Sequence, residues 1–155
     1  MKIAVFPGSF DPITTGHVDL IYRSLPLFDK IVVAVGVNSN KKTLFTLETR
    51  LKWLKEVFKE EQKIEIAYFE GLTVDFCKSI KAKYLIRGLR NSSDFDYEKT
   101  ISQLNSVIGN GMETFFLISK PGFSHISSTI VREIIKAGGD ASVFVPKEVS
   151  LNEEV

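Results

Sequence analysis

The feature that most limits what this 155-residue chain can fold into is a repeated change of period. Short, almost unbroken apolar runs alternate with longer stretches whose apolar residues recur every three or four positions. The runs are Ile3 to Phe6, Ile31 to Val37, Ile64 to Phe69, Tyr84 to Ile86 and Phe115 to Ile118, and their wealth of β-branched and aromatic residues predicts strands. Helical spacing shows in Leu47, Leu51, Leu54 and Phe58, and again in Ile101, Leu104 and Ile108. The predicted order is β-α-β-α-β-α-β-α-β-α. Ile31-Val32-Val33-Ala34-Val35 is apolar at successive positions, as a strand covered on both faces must be, and the helices supply right-handed crossovers between parallel strands. The expectation is a doubly wound α/β fold with a five-stranded parallel sheet flanked by helices, as one domain over residues 1–155.

Open sheets of this kind collect ligands outside the carboxyl ends of their strands, so the residues that follow each apolar run are the candidates for function. After the first run comes Pro7-Gly8-Ser9-Phe10-Asp11-Pro12-Ile13-Thr14-Thr15-Gly16-His17, a tight turn feeding a helix that carries Val18, Leu20 and Ile21. Ser9, Thr14 and His17 offer donors at the positive end of that helix, where phosphate oxygens are favoured; a capped turn with a surface histidine is the plainer alternative. The second run leads into Lys41-Lys42-Thr43-Leu44-Phe45-Thr46-Leu47-Glu48-Thr49-Arg50, with Thr46 as the expected N-cap and the lysines readable either as a solvated loop or as an anion contact. After the fourth run, Arg87 and Arg90 flank Gly88-Leu89 and can present forked donors to phosphate or form surface ion pairs. After the fifth, Lys120-Pro121-Gly122-Phe123-Ser124-His125-Ile126 precedes Ser127-Ser128-Thr129, whose hydroxyls and unpaired backbone N–H groups can cap a helix, cradle a polyphosphate, or do both.

These strings resemble the phosphopantetheine adenylyltransferases of the nucleotidylyltransferase superfamily. The first is similar to the Thr/His-x-Gly-His signature behind a Gly-[Ser/Thr]-Phe-Asp-Pro turn, and the last to an Ile-Ser-Ser-[Ser/Thr] motif. Arg87-Gly88-Leu89-Arg90-Asn91-Ser92-Ser93-Asp94-Phe95-Asp96-Tyr97-Glu98 matches the narrowest of the family's patterns. The resemblance implies a Rossmann-like fold and transfer of the adenylyl group of ATP, with Mg²⁺, to 4'-phosphopantetheine, giving dephospho-coenzyme A and pyrophosphate without a covalent intermediate. It implies catalytic roles for Ser9, His17, Lys41 and Arg90, and acceptor contacts from Ser9, Lys41, Thr73 and Arg87. It implies ATP contacts from Ser9, Phe10, His17, Gly88, Leu89, Arg90, Glu98 and the segment Phe123, Ser124, His125, Ile126, Ser127, Ser128 and Thr129. Phe123-Ser124-His125 departs from the family pattern of two aromatics. A homohexamer and feedback by coenzyme A are further expectations of the resemblance. Two other readings compete: a superfamily member using nicotinamide mononucleotide with ATP, or glycerol phosphate or phosphocholine with CTP, and a non-catalytic nucleotide-binding module.

Composition narrows the partners. With 20 Lys and Arg against 19 Asp and Glu, no global field favours nucleic acid, so any anion site must be local. The single Cys77, in a Val74-Cys77-Ile80 stripe, reads as core and suits a reducing cytoplasm; no Cys/His spacing marks a dedicated metal site. The apolar run before Pro7 is too short for a signal peptide or a membrane span, so a cytoplasmic protein without membrane or nucleic-acid partners is expected, with a frayed tail from Asn152 to Val155.

Overall fold

The structure is a computed structural model describing residues 1–152; the rest of the expected frayed tail, residues 153–155, lies outside the described residues. Five strands form one parallel sheet: β1 (Ile3–Gly8), β2 (Lys30–Val37), β3 (Ile64–Glu70), β4 (Tyr84–Leu89) and β5 (Glu113–Ile118). The crossovers carry α1 (Thr15–Ser24), α2 (Leu47–Val57), α3 (Thr73–Ser79) and α4 (Ser92–Ile108), and α5 (Ser128–Lys136) follows β5. Short 3-10 turns at Leu25–Leu27 and Ser142–Phe144 add to the predicted order. Strand order β3-β2-β1-β4-β5 makes the sheet doubly wound, as expected.

Alternate side chains of each central strand enter separate cores. Ala4 and Phe6 of β1 join Ile31, Val33 and Val35 of β2 on the face covered by α1, α2 and α5, where Ile21, Trp53, Leu54 and Val131 pack. Val5, Val32 and Ala34 point to the opposite face, against Val74 and the buried Cys77 of α3. This two-sided burial explains why β2 reads as a continuous apolar run, and it confirms Cys77 as core.

One expectation is corrected. Strand β4 continues through Arg87, Gly88 and Leu89 rather than ending at Ile86, because these residues pair with Phe116, Leu117 and Ile118 of β5. The apolar stripe on α4 is real as a helix signal, yet Leu104 and Ile108 stay 55% and 47% exposed.

The strand order reverses between β1 and β4. Their ladder runs through Ala4–Tyr84 and Val5–Leu85, and beyond it the strand ends diverge to leave space. Packing underneath Gly88 is close: an added Cβ would lie 2.3 Å from Cδ1 of Leu20, a core residue of α1. Gly88→Ala must push that leucine from its seat, and we expect a loss of about 1–2 kcal/mol in a urea titration. An unchanged midpoint would show that Leu20 has room to move.

Candidate active site

Other parts of the site lean on the turn after β1. Phe10 takes a left-handed φ of 46°, unfavourable for a side chain with a Cβ, and its ring is buried. Three bonds hold the turn: Arg50 Nη1 donates to the Ser9 carbonyl at 2.7 Å, and the Asp11 carboxylate accepts the N–H groups of Leu44 and Phe45, each at 2.9 Å. The carbonyl of Asp11 accepts Arg132 Nη1 at 2.8 Å, and Ser128 Oγ donates to the carbonyl of Pro12 at 2.7 Å. One turn thereby fixes the loop after β2 and the start of α5 together.

Helix α1 starts at the N-cap Thr14, whose side chain accepts the His17 N–H while its own N–H donates to His17 Nδ1 at 3.0 Å. An accepting Nδ1 leaves the ring proton on Nε2. Burial, then the positive charges of Arg87 and Arg90, lower the His17 pKa to about 4. At neutral pH the ring is therefore an uncharged Nε2–H donor, packed against Phe6 and Phe10. The unfolded histidine takes up a proton near pH 6.5 that the folded one refuses until about 4, so stability present above 6.5 is lost as pH falls through that window, by at most about 1.4 kcal/mol per pH unit. Melting temperatures of wild type and His17→Asn should converge between pH 7 and 5; parallel curves would count against a neutral His17.

Two cavities open at the diverging ends of β1 and β4. The first, about 270 Å³, is bounded by Gly36, Phe69 and Thr73 on one side and by Ile101, Ser102, Asn105 and Thr114 on the other. The second, about 330 Å³, is bounded by Phe10, His17, Gly88, Arg90, Phe123, Ile126 and the start of α5 from Ser127 to Thr129. Ser9, Arg87 and Glu98 line both, so the two spaces share a wall. Arg87 Nε and Nη2 meet the two Glu98 oxygens at 3.0 and 2.7 Å, and Nη1 donates to the Pro7 carbonyl at 2.7 Å, where the ladder with β1 has lapsed. Arg90 is held similarly by Asp94 at 3.1 and 3.4 Å. A neutral donor, two guanidinium groups and a helix start thus line adjoining spaces, a set suited to gripping anionic oxygens in line.

A cytidylyltransferase-like family model matches residues 5–134. The phosphopantetheine adenylyltransferase of Christiangramia forsetii is 52% identical over 149 residues, 96% of this chain and 98% of that protein. The namesake enzymes of Flavobacterium psychrophilum, at 50% over the same shares, and of Limosilactobacillus reuteri, at 46% over 97% and 87%, are similar along nearly their whole length. The chain belongs to the phosphopantetheine adenylyltransferase family. It is accordingly a nucleotidyltransferase.

Most residues singled out from sequence meet in this phosphopantetheine adenylyltransferase fold, but not all. Lys41 lies exposed on the loop after β2 and lines neither cavity. Ser124 donates to the Pro121 carbonyl, and His125 is exposed with its ring edge-on to Phe144 at 6.3 Å, so neither lines the second cavity. Leu89 is buried and lines neither cavity. Of the three hydroxyls expected to cradle phosphates, Ser128 donates its proton to the Pro12 carbonyl, while Ser127 and Thr129 only accept, from the Ile130 N–H and from Arg132. The start of α5 therefore still offers an anion the hydroxyl protons of Ser127 and Thr129, together with the first backbone N–H groups of the helix. Glu98, expected on the nucleotide side, lines the second cavity and also the first, and accepts both its bonds from Arg87.

Sequence reasoning missed Arg50, buried at 4% exposure, and the role of Asp11. It also missed Ser102 and Asn105, although Glu98, Ser102 and Asn105 recur at helical spacing on one face of α4, a polar stripe legible beside the apolar one. No helix among the described residues is long and apolar enough to cross a membrane.

Proposed function

We propose that this chain joins the adenylyl group of ATP to 4'-phosphopantetheine, producing dephospho-coenzyme A and pyrophosphate for coenzyme A synthesis. The observation that carries the reading is the shared wall: a triphosphate in the second cavity and a phosphomonoester reaching it from the first would meet at Ser9 and Arg87. An acceptor phosphate oxygen attacks the α-phosphorus, its new P–O bond forming as the bond to pyrophosphate breaks. That oxygen is anionic near neutral pH, so no general base is needed, and positioning with charge stabilisation does the work.

In this reading His17 Nε2–H donates to an α-phosphate oxygen. Arg90 and the first turn of α5 hold the β- and γ-phosphates. Arg87 meets the acceptor phosphate, with Lys41 reaching it from the loop that Asp11 anchors at Leu44 and Phe45, while Thr73 lies toward the pantetheine arm. Gly88 and Phe123 border the nucleoside. Mg²⁺ enters with the phosphates: both carboxylates lining the nucleotide cavity, Asp94 and Glu98, already accept from arginines, and no cluster of three metal-ligating side chains occurs among the described residues. Coenzyme A, sharing the acceptor's arm, would compete for the first cavity. The buried thiol of Cys77 suits a cytoplasmic setting. Exposed Leu104, Val107 and Ile108, spaced along one side of α4, favour self-association into the hexamer, and a monomer by light scattering would remove that part.

The test is pyrophosphate release with Mg²⁺ and each acceptor in turn. Release with ATP and 4'-phosphopantetheine, and not with ATP and nicotinamide mononucleotide or with CTP and glycerol phosphate or phosphocholine, is the expected result. Preference for another pair would replace the substrate assignment.

A further inference from the structure

A carboxylate on the wall of a space that must take two polyanions is electrostatically adverse, and Glu98 is such a group, only 8% exposed and bordering both cavities. Its geometry gives a reason for its presence. Both oxygens accept from one side of the Arg87 guanidinium, at 3.0 and 2.7 Å, while the Pro7 carbonyl takes a third N–H at 2.7 Å. Of the five N–H groups on an arginine, that leaves one on each terminal nitrogen. The same device recurs one helical turn earlier, where Asp94 holds Arg90. Asp94 and Glu98 stand four apart on one face of α4, opposite arginines three apart at the end of β4.

We propose that Glu98 is a positioning residue: it fixes the Arg87 fork on the wall common to both cavities, so that the two remaining N–H groups face the acceptor phosphate. This rests on the reading that Arg87 meets that phosphate. An unbuttressed arginine would attract phosphate more strongly, having lost its competing anion, yet hold it in many orientations. Glu98 therefore trades ground-state affinity for alignment, which is the exchange that raises turnover.

Glu98→Gln keeps the shape, removes the charge and can accept only one of the two bonds. With ATP, Mg²⁺ and 4'-phosphopantetheine, the variant should show an acceptor KM lowered about 3-fold and a kcat lowered about 10-fold, with KM for ATP unchanged. A raised KM for ATP alone, with kcat and acceptor KM at wild-type values, would make Glu98 a nucleotide contact and overturn the proposal. The same substitution placed on Arg87→Ala should cost no further turnover; an additive loss would show that Glu98 acts independently of Arg87. Should Glu98→Gln not fold, Glu98→Asp serves: charge retained and reach shortened, it should lose kcat without the fall in acceptor KM, and unchanged kcat would sink the positioning role. Wild-type enzyme assayed alongside separates the two levels, since a wild type inactive with this substrate pair removes the parent reading and this one with it.

Discussion

His17→Ala should turn over about 10²-fold more slowly than wild type, or worse, while binding ATP almost as well. A donor aimed where charge accumulates in the transition state contributes little to the ground state, so its loss falls on kcat. The geometry favours this division. His17 is uncharged at neutral pH, its Nδ1 is committed to Thr14, and its ring lines the second cavity with the Nε2–H left as its donor. A cation would also have strengthened ground-state binding; a neutral donor among Arg87 and Arg90 adds mainly to the moment of charge transfer. The kcat profile should accordingly show no His17 titration between pH 6 and 8, the limb lying near its depressed pKa of about 4. Single-turnover rates and ATP binding measured on the variant decide the matter: an unchanged rate removes His17 from the chemical step.

Arg87→Ala should raise the acceptor KM by about 10- to 100-fold, the range expected when a charge-assisted contact is removed from substrate binding. It should also weaken the fold, because it leaves the Glu98 carboxylate at 8% exposure without its partner and the Pro7 carbonyl without its donor. The arginine is itself one-third exposed, so the cost falls below that of a fully buried pair, at about 1–3 kcal/mol. Removing both partners, as Arg87→Ala with Glu98→Ala, should recover part of the stability but none of the acceptor affinity. Normal acceptor saturation in the single variant would contradict the assignment, whatever happens to stability.

Strand positions and the two-sided burial of β2 were readable because both depend on local period. The true end of β4 was not, since Arg87 to Leu89 are extended only through pairing with Phe116 to Ile118, a partner some thirty residues away. Motif resemblance told which residue types surround the site and placed His17, Arg87, Arg90 and the α5 start correctly together. It could not tell which of the site's polar groups the protein itself occupies. Ser128 spends its hydroxyl on Pro12, and Glu98 spends its carboxylate on Arg87, as only three-dimensional contacts reveal. Lys41 shows a different limit: the loop's position is set by Asp11 gripping Leu44 and Phe45 across 33 and 34 residues, a bond that spacing along the chain does not announce.

Because β1 and β4 are neighbours in the sheet yet some eighty residues apart along the polypeptide, neither cavity has a wall until the middle of the molecule has zipped together. An amino-terminal half alone, or a nascent chain stopped before Tyr84, owns the histidine and no guanidinium beside it. Ligands should then act as staples on the finished sheet alone, retarding hydrogen exchange at its centre in proportion to their occupancy and leaving partly assembled forms unaided.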